Sequence, residues 1–435
     1  MAGICGMVSS ERCVDDLYWG TSYLQHRAQN YCGLALYNGE NLKDYPHEGL
    51  LRQQFPKEVR TELKGNYGIG SVSVEKEPIT ELSQAGGMIM AFDGNIINHI
   101  ELRDNLLKKG VSFSGYRNPK EVVDSDLISK LISSEARFEK GIERVFDEVK
   151  GDFAIVALTE DGVYAARGWG RKPLILGKKN GSYVVSSESN SFVNTKFEIA
   201  RDVKPGEVVF IDNSGIHSIA DFKLDDSLIR YGTFEWIYTA HPASVIDGKN
   251  VAEARMAIGG ALARRFPVFA DFISPVPNSG RWHAIGFSHE SKIPYQEAFI
   301  RYDYSDRSYT PSDQESRNEE ARTKLIPVRE IIKGKRWVIV DDSIVRGTQL
   351  LNRSRVLREN GAEEVHVRIA CPPLKCACKY GKSTRSDEEC IARRMPIEEI
   401  RKKLELDSLG YAYVEDLELA IGKPAKQLCL ECWGV

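Results

Sequence analysis

The stretch "WVIVDDSIVRGTQLL" (residues 337–351) sets the reading of the whole chain. Trp337 to Val340 are apolar and suit a buried strand, Asp341 and Asp342 stand at its carboxyl end, and Ser343 through Thr348 turn the chain into a helix. Backbone N–H groups at such a helix start form a cradle for a phosphate, and Gly347 lets the chain approach closely. Paired carboxylates beside that cradle can hold a sugar diol or an Mg²⁺-bound ligand. An acidic pair at a strand end also occurs with no ligand; the intact string is what weighs for phosphate.

On either side, strand and helix alternate. "VAEARMAIGGALARRF" (251–266) reads as a helix, and "DFISPVPNSG" (271–280) as a strand running into a turn. "AIGFSHESKIPYQEAFI" (284–300) reads as helix then strand, and "TQLLNRSRVLRENGAEEVHVRIACPP" (348–373) as helix, glycine stop and strand. This alternation predicts an α/β domain with a parallel sheet and ligands at the carboxyl ends of its strands. Residues 301–324 are polar and charged, and a loop of that length in a packed domain is expected to be a lid or disordered. The first half has a different texture. "YGIGSVSVE" (67–75), "GGMIMAFDGNI" (86–96), "FAIVALTEDGVYAARG" (153–168), "SYVVSSES" (182–189) and "GEVVFIDNSGIHSI" (206–219) are β-rich runs. Two helical stretches interrupt them, "HIELRDNLLKKG" (99–110) and "DSDLISKLISSEARF" (124–138). The expectation is a layered α+β domain over 1–225 and the α/β domain over 226–435.

Composition narrows the class. With 42% hydrophobic and 28% charged residues and a formal net charge of -3, the chain suits a soluble globular protein, with no electrostatic reason to bind nucleic acid. It carries no apolar run long enough to span a membrane and no signal-peptide layout, which places the expectation in the cytoplasm. There the nine cysteines are expected as thiols or metal ligands, not disulfides.

The 337–351 string closely resembles the phosphoribosyl pyrophosphate (PRPP) motif of type I phosphoribosyltransferases, and more narrowly that of the glutamine PRPP amidotransferase (amidophosphoribosyltransferase) family. The likeness runs in order along the chain through "LQHRAQN", "DGNIINHIELRDNL", "VDSDLI", "KPLILGKK", "SSES", "RDVKPGE", "FEWIY", "VPNSG", "AIGFSHESKIPY", "KLIPVREIIKGKR" and "DSLGY". The resemblance implies an N-terminal-nucleophile (Ntn) hydrolase-like αββα sandwich, or class II glutaminase domain, followed by a type I phosphoribosyltransferase domain. It also implies glutamine hydrolysis in the first and transfer of ammonia to PRPP in the second. The product would be 5-phosphoribosylamine, with pyrophosphate leaving, as purine synthesis requires.

Carried over by position, Asp341 and Asp342 would meet the ribose hydroxyls and Mg²⁺. Ser343, Ile344, Val345, Arg346, Gly347 and Thr348 would hold the 5-phosphate. Asn278, Ser279 and Gly280 fall in the pyrophosphate loop, with Asn278 where the family usually has Asp, and Arg307 matches the arginine of the closing flag. Positive charge develops on the ribose ring as pyrophosphate leaves, and water has to be kept out, so a lid is expected. By family analogy the assembly is a homo-oligomer.

Against the glutaminase template, the opening "MAGICGM" puts Ala2 where the family has its nucleophilic cysteine. Ala2 and Arg27 are 25 positions apart, the family's usual spacing. Cys5 is then a small apolar strand residue. Ser73 stands where the family has a glutamine-binding arginine, and Asp93 where it has the oxyanion-hole asparagine. Gly94, Arg27 and Asp124 remain in place. A carboxylate cannot donate to an oxyanion and repels its charge, so this half is expected to be catalytically inactive, with ammonia, another small amine or a separate glutaminase partner as the nitrogen source. The alternatives are a glutamine-dependent enzyme trimmed to expose Cys5, and a regulatory paralogue that binds PRPP or nucleotides without turnover.

In the cysteine-containing tail, Cys378, Cys429 and Cys432 match three of four iron–sulfur ligands in one branch of the family, while Gly232 occupies the fourth position. Cys376 or Cys371 could supply the missing thiolate of a [4Fe–4S] cluster, or the site could hold zinc or nothing.

Overall fold

The computed structural model describes residues 2–83, 86–113, 118, 121–302, 325–381, 384 and 386–435. The chain divides into two units, one of Met1–Gly232, Ala243–Asn250 and Lys379–Lys382, the other of Thr233–Pro242, Val251–Cys378 and Ser383–Val435. Two short later segments thus group with the first unit.

In the first unit the β-rich runs pair into two sheets. One has seven strands in the order Glu198–Asp202, Ile175–Lys179, Ser182–Ser186, Ala2–Val8, Tyr67–Ser73, Tyr31–Tyr37 and Leu42–Glu48. The other has six, in the order Gly215–Asp221, Glu207–Asp212, Val163–Arg167, Gly151–Leu158, Gly86–Ile96 and Ile79–Ser83. Inward side chains such as Ile4, Ile69, Ala91, Val156 and Val185 fill the space between the sheets. Helices His99–Lys108, Asp124–Ser133 and Phe138–Glu148 cover the outer face of the second sheet through Leu102, Leu127, Ile142 and Val145. Helix Val14–Ser22 packs on the first sheet. The layers are therefore helix, sheet, sheet, helix.

The second unit holds a four-stranded, wholly parallel sheet in the order Phe272–Pro275, Arg336–Asp341, Glu364–Ile369 and Ser408–Tyr411. Helix Thr348–Glu359 makes the crossover between the second and third strands. One expectation needs correcting. The segment after helix Arg281–Ser291 meets the parallel sheet only in a single bridge of Tyr295 to Ile273, and its strand Phe299–Arg301 pairs antiparallel with Leu325–Pro327 as a separate ribbon. With three residues and a half-exposed Ile300, it lacks the apolar length of a buried parallel strand. Residues 303–324, which include Arg307, lie outside the described residues.

Helix Val251–Arg265 crosses helix Arg281–Ser291 at very short range. A Cβ added to Gly286 would lie 2.0 Å from the Met256 carbonyl oxygen. No side-chain rotation relieves a clash with backbone, so Gly286→Ala is expected to cost about 2 kcal/mol or more. A lower urea midpoint with an unchanged slope would show it.

Candidate functional site

The second unit gathers the residues expected around PRPP at the carboxyl ends of two adjacent parallel strands. Val276, at the start of the 276–280 loop, donates its N–H to the Val340 carbonyl at 2.8 Å, and Gly280 N–H closes back onto the Val276 carbonyl at 2.9 Å. Asn278 is exposed and follows a cis peptide bond from Pro277. Ser279 Oγ donates to Asp341 Oδ1 at 3.2 Å. After Asp342 the chain turns with Ser343 donating to Asp342 Oδ2 at 2.5 Å and Ile344 buried beneath the loop. The Val345 carbonyl accepts from Ile391 N–H at 2.8 Å, and Arg346 pairs with Glu389 at 2.7 Å. Gly347 has φ +81°, a left-handed conformation that other side chains resist, and it hands the chain to an exposed Thr348 at the helix start. The first N–H groups of a helix have no partner within it, and a helix start that follows a strand end in this way favours an anion.

Asp341 and Asp342 are each only 7% exposed. Burial, and then the neighbouring Asp342 carboxylate, push Asp341 well above the usual range, while Arg353 pulls it down from 3.2 Å. Two buried carboxylates this close call for a cation. Two carboxylates plus substrate phosphates are the donor set that Mg²⁺ accepts.

The first unit builds a different site at the amino end of its first strand. Ala2 N–H donates to Asp93 Oδ1 at 2.9 Å, and Arg27 Nε donates to the Ala2 carbonyl at 2.8 Å. Arg27 also spans Asp93 Oδ2 at 3.2 Å and Glu188 Oε1 at 2.8 Å, while Lys172 Nζ reaches Asp93 Oδ1 at 3.2 Å. His26 and Ser244 complete the surroundings of Glu188 at 2.8 and 2.7 Å. Burial by itself would raise Asp93, but Lys172 and Arg27 outweigh it and hold the carboxyl far below its ordinary value. Burial likewise opposes ionisation of Glu188, yet His26 and Arg27 bring it down to about 2. Two guanidinium and ammonium cations thus face two carboxylates in a closed, charge-matched cluster.

Ser73 lies opposite Ala2 in the sheet, buried, with its hydroxyl accepting from Glu75 N–H at 3.1 Å. It is too short to clamp a carboxylate as an arginine would. Asp124 opens its helix and pairs with His99 Nδ1 at 2.6 Å. Gly94 sits beside Asp93 on its strand, paired with Phe153. Cys5 is fully buried in the first strand and its thiol is pushed up to about 12, chiefly by burial. That is the opposite of an activated nucleophile. Lys172 and Glu188 are the functional-site residues that sequence reasoning misses: Lys172 stands in a loop and Glu188 just after a strand, each far along the chain from its partner.

In the tail, Cys376, Cys378, Cys429 and Cys432 lie near one another. Even so, among the described residues no three His, Cys, Asp or Glu side chains are grouped to hold a metal. A Cβ at Gly232 would lie 2.3 Å from the Arg171 carbonyl oxygen, so the fourth family thiolate has no room there. Cys371 is fully buried beside the Asp341–Asp342 strand end. The tail is held by stacking of Phe234 on Trp433 at 5.5 Å and by Thr233 Oγ1 donating to the Cys429 carbonyl at 2.9 Å. Among the described residues no helix is long and apolar enough to cross a membrane.

Comparison with known proteins bears on both units. A family model described as a glutamine amidotransferase domain matches residues 66–194. An amidophosphoribosyltransferase from Methanothermobacter thermautotrophicus is 36% identical over 447 residues, covering 99% of this chain and 93% of that protein. One from Methanocaldococcus jannaschii is also 36% identical, over 460 residues, covering 99% and 96%. The solved glutamine PRPP amidotransferase of B. subtilis, complexed with ADP and GMP, superposes with a TM-score of 0.90 at 33% identity over 99% of this chain and 96% of that one.

The ion cluster predicts a pH response and a mutational one. A carboxylate held below its ordinary value contributes stability that is complete above that value and lost as pH falls through the folded one. For Glu188 the window runs from 4.5 down to about 2. Urea unfolding between pH 7 and pH 2 should show this loss, and Glu188→Gln should flatten it. Lys172→Met leaves Asp93 buried with one cation fewer and is expected to cost about 3 kcal/mol.

Proposed function

The chain belongs to the amidophosphoribosyltransferase family, and from that premise we propose that it aminates PRPP with ammonia, not with glutamine, to give 5-phosphoribosylamine and pyrophosphate. The fold is the family's Ntn-hydrolase-type sandwich followed by a phosphoribosyltransferase domain. The observation that carries the ammonia reading is the closed cluster of Arg27, Asp93 and Lys172 around the backbone of Ala2. It puts no thiol at the nucleophile position, and it sets a negative charge where an oxyanion donor is needed. Both of its cations are already engaged by carboxylates, so neither is left to clamp the α-carboxylate of glutamine.

In the second unit, Asp341 and Asp342 hold the ribose face, the N–H groups from Ser343 to Thr348 take the 5-phosphate, and the 276–280 loop receives the pyrophosphate end. Mg²⁺, held by Asp341 and Asp342 together with PRPP, would supply charge neutralisation for the leaving pyrophosphate. The protein's own share is orientation and electrostatic support at the strand ends.

Trimming to expose Cys5 is disfavoured by the same geometry. It would remove Ala2, Gly3 and Ile4, which pair with Ser73, Val72 and Ser71 in the middle of the first sheet. It would also leave Arg27 Nε without the Ala2 carbonyl it bonds.

Pyrophosphate release measured with PRPP plus ammonium, plus glutamine, or plus neither tests the reading. Turnover is expected with ammonium alone, and a glutamine-mimicking alkylator is expected to leave the protein unlabelled. Robust glutamine-dependent turnover would overturn the ammonia assignment. Asp342→Asn is expected to lower kcat/KM for PRPP by about a hundredfold, the scale of a lost hydrogen bond to a charged group.

A further inference from the structure

The two aspartates at the strand end are alike in sequence and unlike in their surroundings. Asp341 collects donors from three directions. Ser279 Oγ comes from the neighbouring loop at 3.2 Å, Asp342 N–H from its own turn at 3.0 Å, and Arg353 Nη1 from the following helix at 3.2 Å. Among the described residues the side chain of Asp342 accepts from the Ser343 hydroxyl and otherwise meets the Asp341 carboxyl beside it. A carboxylate offers about four lone-pair positions, so with three donors on it Asp341 keeps about one, enough to share a metal ion with Asp342 but not to take the pair of ribose hydroxyls.

Arg353 is placed for this one task. It lies on helix Thr348–Glu359 a turn beyond the phosphate loop, and its Nη2 donates to Gln349 Oε1 at 3.3 Å, which fixes the guanidinium on the side facing Asp341. Its side chain is four-fifths buried. Ser279 belongs to the loop that follows the neighbouring parallel strand. Asp341 is therefore the point at which that loop, the phosphate loop and the helix after it are joined by side chains.

We propose that Arg353 is a positioning residue for PRPP: it anchors Asp341 as the tie between the 276–280 loop and the phosphate loop, and so leaves Asp342 as the carboxylate that meets the ribose hydroxyls. The inference rests on the PRPP reading above. It assigns unequal work to two residues that position alone treats as a pair, and it adds a residue that neither the phosphate-loop string nor its resemblance singles out.

Kinetics of ammonium-dependent pyrophosphate release at varied Mg²⁺-PRPP test it. Arg353→Met is expected to raise KM for PRPP by about tenfold, as for a lost charge-assisted hydrogen bond, with kcat falling less than about threefold. Arg353→Lys should recover part of the loss, since the charge survives and the fork does not. The effects of Arg353→Met and Asp341→Asn should overlap in the double variant, whereas those of Arg353→Met and Asp342→Asn should multiply. Retained kcat reports that each variant is folded. A wild-type protein that neither binds nor turns over PRPP overturns both the PRPP reading and this one. Turnover by the wild type with an unchanged KM in Arg353→Met, or full additivity with Asp341→Asn, overturns this inference alone.

Discussion

An ionised carboxylate out of water needs a cation close by, or it takes up a proton instead, and at position 93 the first unit supplies the cations. Asp93 is 1% exposed, and an isolated ion there would be too costly to keep. Lys172 arrives from the loop after strand Val163–Arg167, and Arg27 from the turn after the first helix; together they hold the charge. Arg27 then needs a second acid, which Glu188 supplies, and Glu188 in turn draws in His26 and Ser244. Asp93 is thereby tied, directly or through a partner, to five further residues. Removing any one partner leaves a buried charge exposed to the full cost, which is why such a cluster is hard to dismantle one step at a time.

The second unit meets the same physics and keeps its solution incomplete. Asp341 and Asp342 are as deeply buried as many core residues, yet Arg353 is the cation paired with Asp341 and it is shared with Gln349. The charge deficit left at the strand end suits a site that receives a metal-bound, phosphorylated ligand. In the first unit the corresponding deficit is closed by protein cations. On the proposed reading the contrast is functional: a site finished by its own side chains has no role left for a substrate.

Much of this was legible in the sequence, and the failures have physical causes. The 337–351 string showed strand, loop and helix because each step has local chemistry of its own: four apolar residues, two acids, then a glycine that alone tolerates φ near +81°. The antiparallel sheets of the first unit were legible from short runs broken by Gly, Asn and Asp. Helix Phe138–Glu148 was not singled out, although Phe138, Ile142 and Val145 keep helical spacing. Gly141 inside it argues against a helix locally, and its reason is tertiary: a Cβ there would lie 2.6 Å from Ile132 Cα of the adjoining helix. Lys172 and Glu188 escaped for a related reason. Their partners are 79 and 161 residues away, and no window of sequence contains such a pair.

That distance also bears on why an inactive site would persist in so ordered a form. Asp93 belongs to one sheet of the sandwich and Ala2 to the other, and the Ala2 N–H to Asp93 bond ties interior strands of the two sheets together. Arg27 binds both partners at once. On the proposed reading these inward-pointing positions are satisfied by one another and not by a substrate, so that a gain of stability stands in place of a catalytic demand. On that reading Ala2 and Asp93 belong together: the alanine brings no thiol and fills little space, and the aspartate engages the cations beside it.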